Sequence, residues 1–113
     1  MTTVDNTYIP KEDMIHPGVP KTITQSNSSV GEEDSNIIVN CPTVCVLHLP
    51  NPGNVPGKSY TIQNYTANSV SSNVANVVSL DGSVTGVSIL VGVIGKWVKI
   101  VSDGYNWITT KGN

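Results

Sequence analysis

From residue 36 onward, the chain consists of short apolar runs, rich in Val and Ile, that alternate with Gly, Pro, Asn and Asp. Such short runs, bounded by turn-forming residues, are typical of β-strands. Within 59–64, apolar Tyr60 and Ile62 alternate with polar neighbours, which predicts a strand with one buried face. The seven predicted strands are 37–39, 44–49, 59–64, 73–80, 84–94, 96–102 and 106–110.

Turn-forming residues indicate how these strands connect. The dipeptides Asp81-Gly82 and Asp103-Gly104 are favoured in type I′ turns, so each is predicted to join two antiparallel strands. The proline-rich segment 50–57 is predicted to be a surface loop, because each proline removes a hydrogen-bond donor from a sheet. We therefore expect a single small antiparallel β-sandwich or barrel-like domain over residues 36–113.

The predicted strand 84–94 is apolar on both faces. Apolar residues at alternate positions from 87 to 93 would point one way, and those at 84, 90 and 94 the other. A small domain buries one such face in its own core, so the second face needs a cover. A second copy of the chain is the favoured cover, and the chain's own N-terminal segment is the alternative. The predicted oligomer interface comprises Val87, Ile89, Leu90, Val91 and Val93.

Residues 1–35 have a different character from the rest of the chain. They contain several prolines, a polar run at 24–29 and the acidic cluster 32–34, without a sustained apolar period. This pattern predicts an extended N-terminal arm, which would become ordered on a partner surface, or alternatively a disordered tail. Isolated apolar residues along it are the candidate anchors: Tyr8, Ile9, Met14, Ile15 and Ile23.

Composition and charge narrow the classes of partner. The net charge is −2 and the chain contains no Arg, so neither phosphate attraction nor reading of base edges is expected and we predict no nucleic-acid partner. No window approaches the roughly 18 apolar residues of a membrane span. The first residues carry neither a basic nor an apolar segment, so no secretion signal is predicted and synthesis in the cytoplasm is expected.

The sequence offers little material for catalysis. With only His16 and His48, no catalytic triad can be placed by spacing, so we predict that the protein is not an enzyme and uses no cofactor or metal. Cys41 and Cys45 lie four residues apart in a segment that reads as extended, which would separate their Cα atoms by roughly 13 Å. A disulfide does not span that distance, so both cysteines are expected to be reduced and buried, unless Pro42 bends the chain.

Aromatic residues cluster near the C-terminus, at Trp97, Tyr105 and Trp107. The favoured interpretation is that they seal one end of the β core, and the alternative is that they stack on a sugar.

Four pieces of the chain together resemble a β module of tailed-phage structural proteins, which occurs in tail fibres, head fibres and capsid decoration proteins. The pieces are LHLPNP at 47–52, GKSYTIQN at 57–64, DG within SLDGSV at 79–84, and IVSDGYNW at 100–107. The resemblance implies a virion location, and its modules are mostly trimeric. It also implies an N-terminal arm that holds the major capsid protein.

Two functions are compatible with this resemblance. The first is a capsid decoration or cement protein on the head surface, attached by residues 1–35 and oligomerising through its β domain. The second is a receptor-binding fibre or tail component that holds a host glycan with the 50–57 loop and the C-terminal aromatics. The first is favoured because a chain of 113 residues is too short to include a fibre shaft.

Overall fold

The computed structural model of the protein describes residues 19–113 and confirms the all-β prediction. No helix in this part of the chain is long and apolar enough to cross a membrane. Residues 19–113 contain 11 strands, which are β1 Lys21–Ile23, β2 Ser28–Ser29, β3 Asn36–Val39, β4 Cys45–His48, β5 Ser59–Asn64, β6 Val70–Ser72, β7 Val77–Val78, β8 Thr85–Gly86, β9 Ser88–Leu90, β10 Trp97–Ser102 and β11 Trp107–Gly112.

The strands form two sheets, and the first six strands alternate between them. One sheet has seven strands in the order β1-β3-β5-β10-β11-β7-β8, and the other has four in the order β2-β4-β6-β9. Within each sheet the early strands are parallel, because the chain visits the opposite sheet before it returns. Residues 21–72 are therefore three successive turns of a coil. The strand directions are mixed rather than purely antiparallel, since antiparallel pairing dominates only from β7 onward, where β7 and β11 still pair in parallel.

The core lies between the two sheets and is closed by aromatic side chains. Tyr60 and Trp107 are fully buried, with ring centroids 5.3 Å apart. The Tyr60 hydroxyl donates to the Gly31 carbonyl at 2.7 Å, and Trp107 Nε1 donates to the Pro50 carbonyl at 3.1 Å. Trp107 thus seals the core as expected, whereas Tyr105 is 83% exposed and takes no part in the core.

Strand pairing shows that the second half of the predicted N-terminal arm belongs to the β domain. β1 pairs with β3 and β2 pairs with β4, so the β domain includes residues 21–35 and does not begin at residue 36. Ile23 and Val30 are each 3% exposed in the core, and Ile23 is therefore not available as an anchor. The sequence pattern did not reveal β1 and β2, because strands of three and two residues are too short to show an alternation of apolar and polar positions. The anchors Tyr8, Ile9, Met14 and Ile15 lie outside the described residues.

The interpretation of 41–45 as extended is wrong. The chain bends between β3 and β4, which belong to different sheets, and the Cα atoms of Cys41 and Cys45 are 5.9 Å apart in a disulfide. Both cysteines are buried, and their sulfur atoms lie 3.8 Å and 3.9 Å from the carbonyl oxygens of Ile23 and Gln25. The disulfide therefore packs the first turn of the coil against the second.

Both predicted turns join antiparallel strands, but neither of them is a type I′ turn. β7 pairs with β8 and β10 with β11, both antiparallel, as predicted. Gly82 and Gly104 have φ of 76° and 93°, but the aspartates before them do not have positive φ, which excludes type I′ turns. Each aspartate instead accepts hydrogen bonds from backbone N–H groups two or three residues further on, which favours longer loops.

Deletion tests the corrected boundary. Removing residues 1–35 should lower the free energy of unfolding by several kcal/mol, because burial of Ile23 and Val30 contributes about 1.5–3 kcal/mol each. It also removes the acceptor of the buried Tyr60 hydroxyl. Removing residues 1–18 takes away none of these contacts and serves as the control. Equal thermal midpoints for both truncated proteins, measured by circular dichroism, would contradict the boundary.

Candidate functional site

The structure divides the predicted oligomer interface into exposed and buried residues. Val87, Val91 and Val93 are 45–57% exposed, whereas Ile89 and Leu90 are 7% and 5% exposed in the core. Ile89 and Leu90 are therefore wrongly assigned to the interface. The cause is a register shift between β6 and β9, where Val70 pairs with Leu90 and Ser71 with Ser88, leaving Ile89 as an extra residue. Such a bulge breaks the alternation of faces on which the prediction relied.

Both sheets end at the same short segment of the chain. β8 is the last strand of the seven-stranded sheet, β9 is the last strand of the four-stranded sheet, and Val87 alone separates them. An edge strand leaves one side of its backbone without a strand partner in the described domain, which makes it a template for pairing with another chain. We call the region formed by Leu80, Val84, Val87 and these two strands the edge surface.

A mainly apolar depression of about 370 Å³ lies on the edge surface. Leu80, Val84 and Val87 line it together with buried Ile89 and Val98. Leu80 and Val84 are 57% and 60% exposed, so the depression presents apolar side chains to solvent. Exposed apolar side chains that share one depression, unlike single scattered ones, mark a candidate interaction site.

Further exposed apolar residues follow directly after β9. Val91, Val93 and Ile94 are 49–68% exposed. The buried amide of Asn64 fixes the start of this segment, because its Nδ2 donates to the Val91 carbonyl at 3.1 Å and to the Asn68 carbonyl at 2.8 Å. Gly92 lies so close to the Ala67 carbonyl that a Cβ would come within 2.6 Å of it. The segment is thus held in place although it is not a strand, contrary to the prediction of one strand over 84–94.

A network around Asp81 shapes the turn that carries Leu80 and Val84. The Asp81 carboxylate accepts hydrogen bonds from the hydroxyls of Ser83 and Ser79, at 2.7 Å and 2.8 Å, and from the Ser83 backbone N–H at 2.9 Å. These hydrogen bonds, the Ser83 hydroxyl first among them, lower the pKa of Asp81 from 3.8 to about 2. The charged form of Asp81 therefore stabilises the turn.

A second candidate site is a groove of about 380 Å³ elsewhere on the domain. The loop after β4 forms one wall with Pro50 and Pro52, and the tip of the β10–β11 hairpin forms the other with Tyr105. Val74 and Asn76 also line this groove, which we call the proline groove. The structure therefore brings together the 50–57 loop and one C-terminal aromatic, as the glycan interpretation requires. Trp107 is instead in the core, and Trp97 is not among the groove residues.

The walls of this proline groove are fixed by buried hydrogen bonds. The Pro50 carbonyl accepts from Trp107 Nε1, and the Pro52 carbonyl accepts from the buried Ser102 hydroxyl at 2.7 Å. Asp103 Oδ1 accepts from the Tyr105 backbone N–H at 2.9 Å. Hydrogen bonds from the Asn106 and Tyr105 N–H groups hold the pKa of Asp103 below its usual value.

One buried polar atom of a residue that lines the groove has no partner. Asn76 Oδ1 is buried and is the one such side-chain atom without a hydrogen bond in the described residues. The backbone of Asn76 is held firmly, since its carbonyl accepts from the Trp107 N–H at 2.8 Å and its N–H donates to the Val74 carbonyl at 2.9 Å. Nothing in the sequence distinguished this residue, because an unpaired oxygen is a property of the fold.

The remaining candidates for chemistry do not assemble into a site. Among residues 19–113, no three His, Cys, Asp or Glu side chains are grouped so that they could hold a metal ion. His48 lies on β4 near Asn27 and Asn73, whose polar atoms are 3.4 Å and 3.5 Å from its ring nitrogens. No family model, no curated protein and no solved structure matches the chain. The two surfaces therefore have to be interpreted from their own geometry.

The Asp81 network yields a titration prediction. Because the folded pKa lies below 3.8, the charged carboxylate stabilises the turn above that pH, and the contribution is lost as the pH falls towards 2. Replacing Ser83 by Ala should move the pKa of Asp81 upwards, measured by carbon NMR of the carboxyl group. The pKa of Asp103, which depends on other donors, should not move and serves as the control. An unchanged Asp81 titration would refute the assigned network.

Proposed function

We propose that this protein is a virion structural protein of a tailed phage, a capsid decoration or cement protein. Its β domain self-associates, as a trimer, through the edge surface, and its N-terminal residues bind the major capsid protein. The observation that carries the proposal is the meeting of both sheet edges at β8 and β9, beside the exposed Leu80, Val84 and Val87. The resemblance of residues 36–110 to phage structural modules supports the virion assignment.

A second copy of the chain is the occupant that best fits the edge surface. A threefold interface joins two different patches of neighbouring copies, and the domain presents two different strand edges, so that β8 of one copy can pair with β9 of the next. The apolar side chains beside the edges add burial, and none of the side chains that line the depression between them is charged. Covering them also removes the aggregation hazard of two open edges.

The N-terminal residues join the domain at one end of the seven-stranded sheet, and the edge surface lies at the other end. The described chain begins with exposed Val19 and enters the seven-stranded sheet at β1, whereas β8 is the strand at the opposite end. Attachment through Tyr8, Ile9, Met14 and Ile15 would therefore not compete with self-association. Residues 1–20 could span on the order of 65 Å when extended, so they could contact a neighbouring capsid subunit.

The disulfide is consistent with a location outside the reducing cytoplasm. Disulfides persist on virion and cell surfaces but are rare in cytosolic proteins. The Cys41–Cys45 bridge is buried against the first turn of the coil, where it stabilises the part of the domain next to the N-terminal residues. A protein that is made in the cytoplasm and then displayed on a released particle would leave the reducing compartment and could keep this disulfide.

Self-association predicts a measurable mass. Light scattering after size exclusion should give three times the chain mass of 12.0 kDa. Replacing Val84 and Val87 by Lys should yield monomers, because burying an unpaired ammonium costs several kcal/mol. Val44→Lys, at a comparably exposed valine outside the edge surface, is the matched control and should keep the trimer. A monomeric parent protein at tens of micromolar would contradict self-association through this surface.

Binding to the capsid is tested separately. Protein lacking residues 1–18 should keep the melting temperature and oligomeric state of the full chain, because the described core is complete from Ile23 onward. It should fail to co-sediment with undecorated phage heads, whereas the full chain should pellet with them. Head binding of undiminished strength without these residues would show that the β domain itself holds the capsid protein.

A further inference from the structure

We infer that the Cys41–Cys45 pair is a redox-sensitive lock. The β domain adopts the same fold with two thiols as with a disulfide, and oxidation by a small soluble disulfide fixes a bend that is already formed. The pair lies where the chain crosses from β3 in the seven-stranded sheet to β4 in the four-stranded sheet. We call residues 40–45 the cysteine corner.

Hydrogen bonds to the first turn of the coil hold both ends of the cysteine corner without the disulfide. At the start of the corner, Asn40 donates its backbone N–H to the Ile23 carbonyl at 2.8 Å. Directly after the corner, Val46 donates its backbone N–H to Ser26 Oγ at 2.9 Å. The residues that flank the two cysteines are therefore fixed from the N-terminal side of the domain.

Hydrogen bonds to the third turn of the coil hold the cysteines themselves. The Cys45 N–H donates to the Ser69 carbonyl at 3.0 Å, and the Cys41 carbonyl accepts from Asn68 Nδ2 at 3.2 Å. None of these contacts involves a sulfur atom, so all of them can persist in the reduced protein. They keep the two Cα atoms, 5.9 Å apart, within the range that a disulfide needs.

The surroundings of the sulfur atoms accommodate thiols as well as a disulfide. Reduction adds one hydrogen to each sulfur, and a thiol is a weak hydrogen-bond donor. The Ile23 carbonyl oxygen lies 3.8 Å from Cys41 Sγ. The Gln25 carbonyl oxygen lies 3.9 Å from Cys45 Sγ. Each thiol would therefore face an acceptor, and a free cysteine otherwise packs as a small apolar residue.

The exposed side of the cysteine corner is the route for thiol–disulfide exchange. Residues 42–44 are exposed and belong to no strand, whereas Cys41 and Cys45 are 2% and 0% exposed. Local opening of these three residues lets one cysteine attack glutathione disulfide and release one glutathione. The second cysteine then attacks the mixed disulfide, closes the bridge and releases the second glutathione. The two thiol protons end on the two glutathione thiols, so one disulfide is reduced for each that forms.

The lock adds stability after folding without a change of shape. In a reducing cytoplasm the pair stays as two thiols, and it becomes a disulfide once the protein leaves that compartment. The bridge joins residues four positions apart, so it removes conformational freedom from the unfolded chain. It thereby stabilises the folded domain, with its direct contacts in the first two turns of the coil.

The test compares two forms of the full-length protein, one oxidised with glutathione disulfide and one reduced with a phosphine. In ¹⁵N NMR spectra, the signals of β5, β10 and β11 should coincide, and differences should be confined to residues 23–27, 40–46 and 68–69. The reduced form should melt roughly 10 °C lower, because the bridge no longer restricts its unfolded state. Glutathione disulfide, added to the folded reduced protein at room temperature, should restore the oxidised spectrum and remove two hydrogens from the mass.

A chain with both Cys41→Ala and Cys45→Ala is the control, and its melting temperature should not respond to the reductant. Loss of the dispersed NMR spectrum on reduction would overturn the inference, because the bridge would then be required for folding. An unchanged melting temperature would show that the bridge locks nothing. Oxidation that occurs only after unfolding would show that the fold does not bring the thiols together. None of these results bears on head binding or on the trimer.

Discussion

Tyr60 and Trp107 pack against each other at the centre of the domain, and the polar atom of each ring reaches a different part of the chain. The Tyr60 hydroxyl holds Gly31, which follows the first turn of the coil, and Trp107 Nε1 holds Pro50, in the loop of the second turn. Burial, reinforced by the nearby Asp34 carboxylate, raises the pKa of Tyr60 well above its ordinary value, so the hydroxyl remains a donor. One aromatic contact thus joins the N-terminal segment, the proline loop and the C-terminal hairpin.

Strand character was predictable wherever a strand is long enough to show its period. β5 was predicted with its correct bounds, and β10 and β11 were placed to within one or two residues, because each has six residues with alternating burial over most of its length. β1, β2 and β6 were missed because strands of two or three residues give no period. The coil itself was also hidden, since parallel neighbours such as Ile37 and Ile62 are 25 positions apart, with the opposite sheet visited between them.

The candidate sites were predictable only in part, and for the same reason. Val87, Val91 and Val93 are exposed as an interface requires. Ile89 and Leu90, which were also predicted to lie in the interface, are buried in the core because of the bulge at Ile89. The 50–57 loop and Tyr105 were named as partners in one interpretation, and they do meet. Asn76 carried no signal, because its unpaired oxygen depends on how Trp107 holds the backbone beside it. The local sequence pattern shows which residue types could form a site. The pairing of distant strands decides which of their side chains remain exposed for binding.

The order of strands in the larger sheet has a consequence for the proposed role. β1, next to the N-terminal residues, and β8, at the edge surface, are the two ends of one hydrogen-bonded sheet. A sheet with rigid central strands keeps two end surfaces apart, so a partner at one end does not obstruct a partner at the other. A protein that holds a shell through its N-terminal residues and its own copies through β8 and β9 would therefore tie several subunits together.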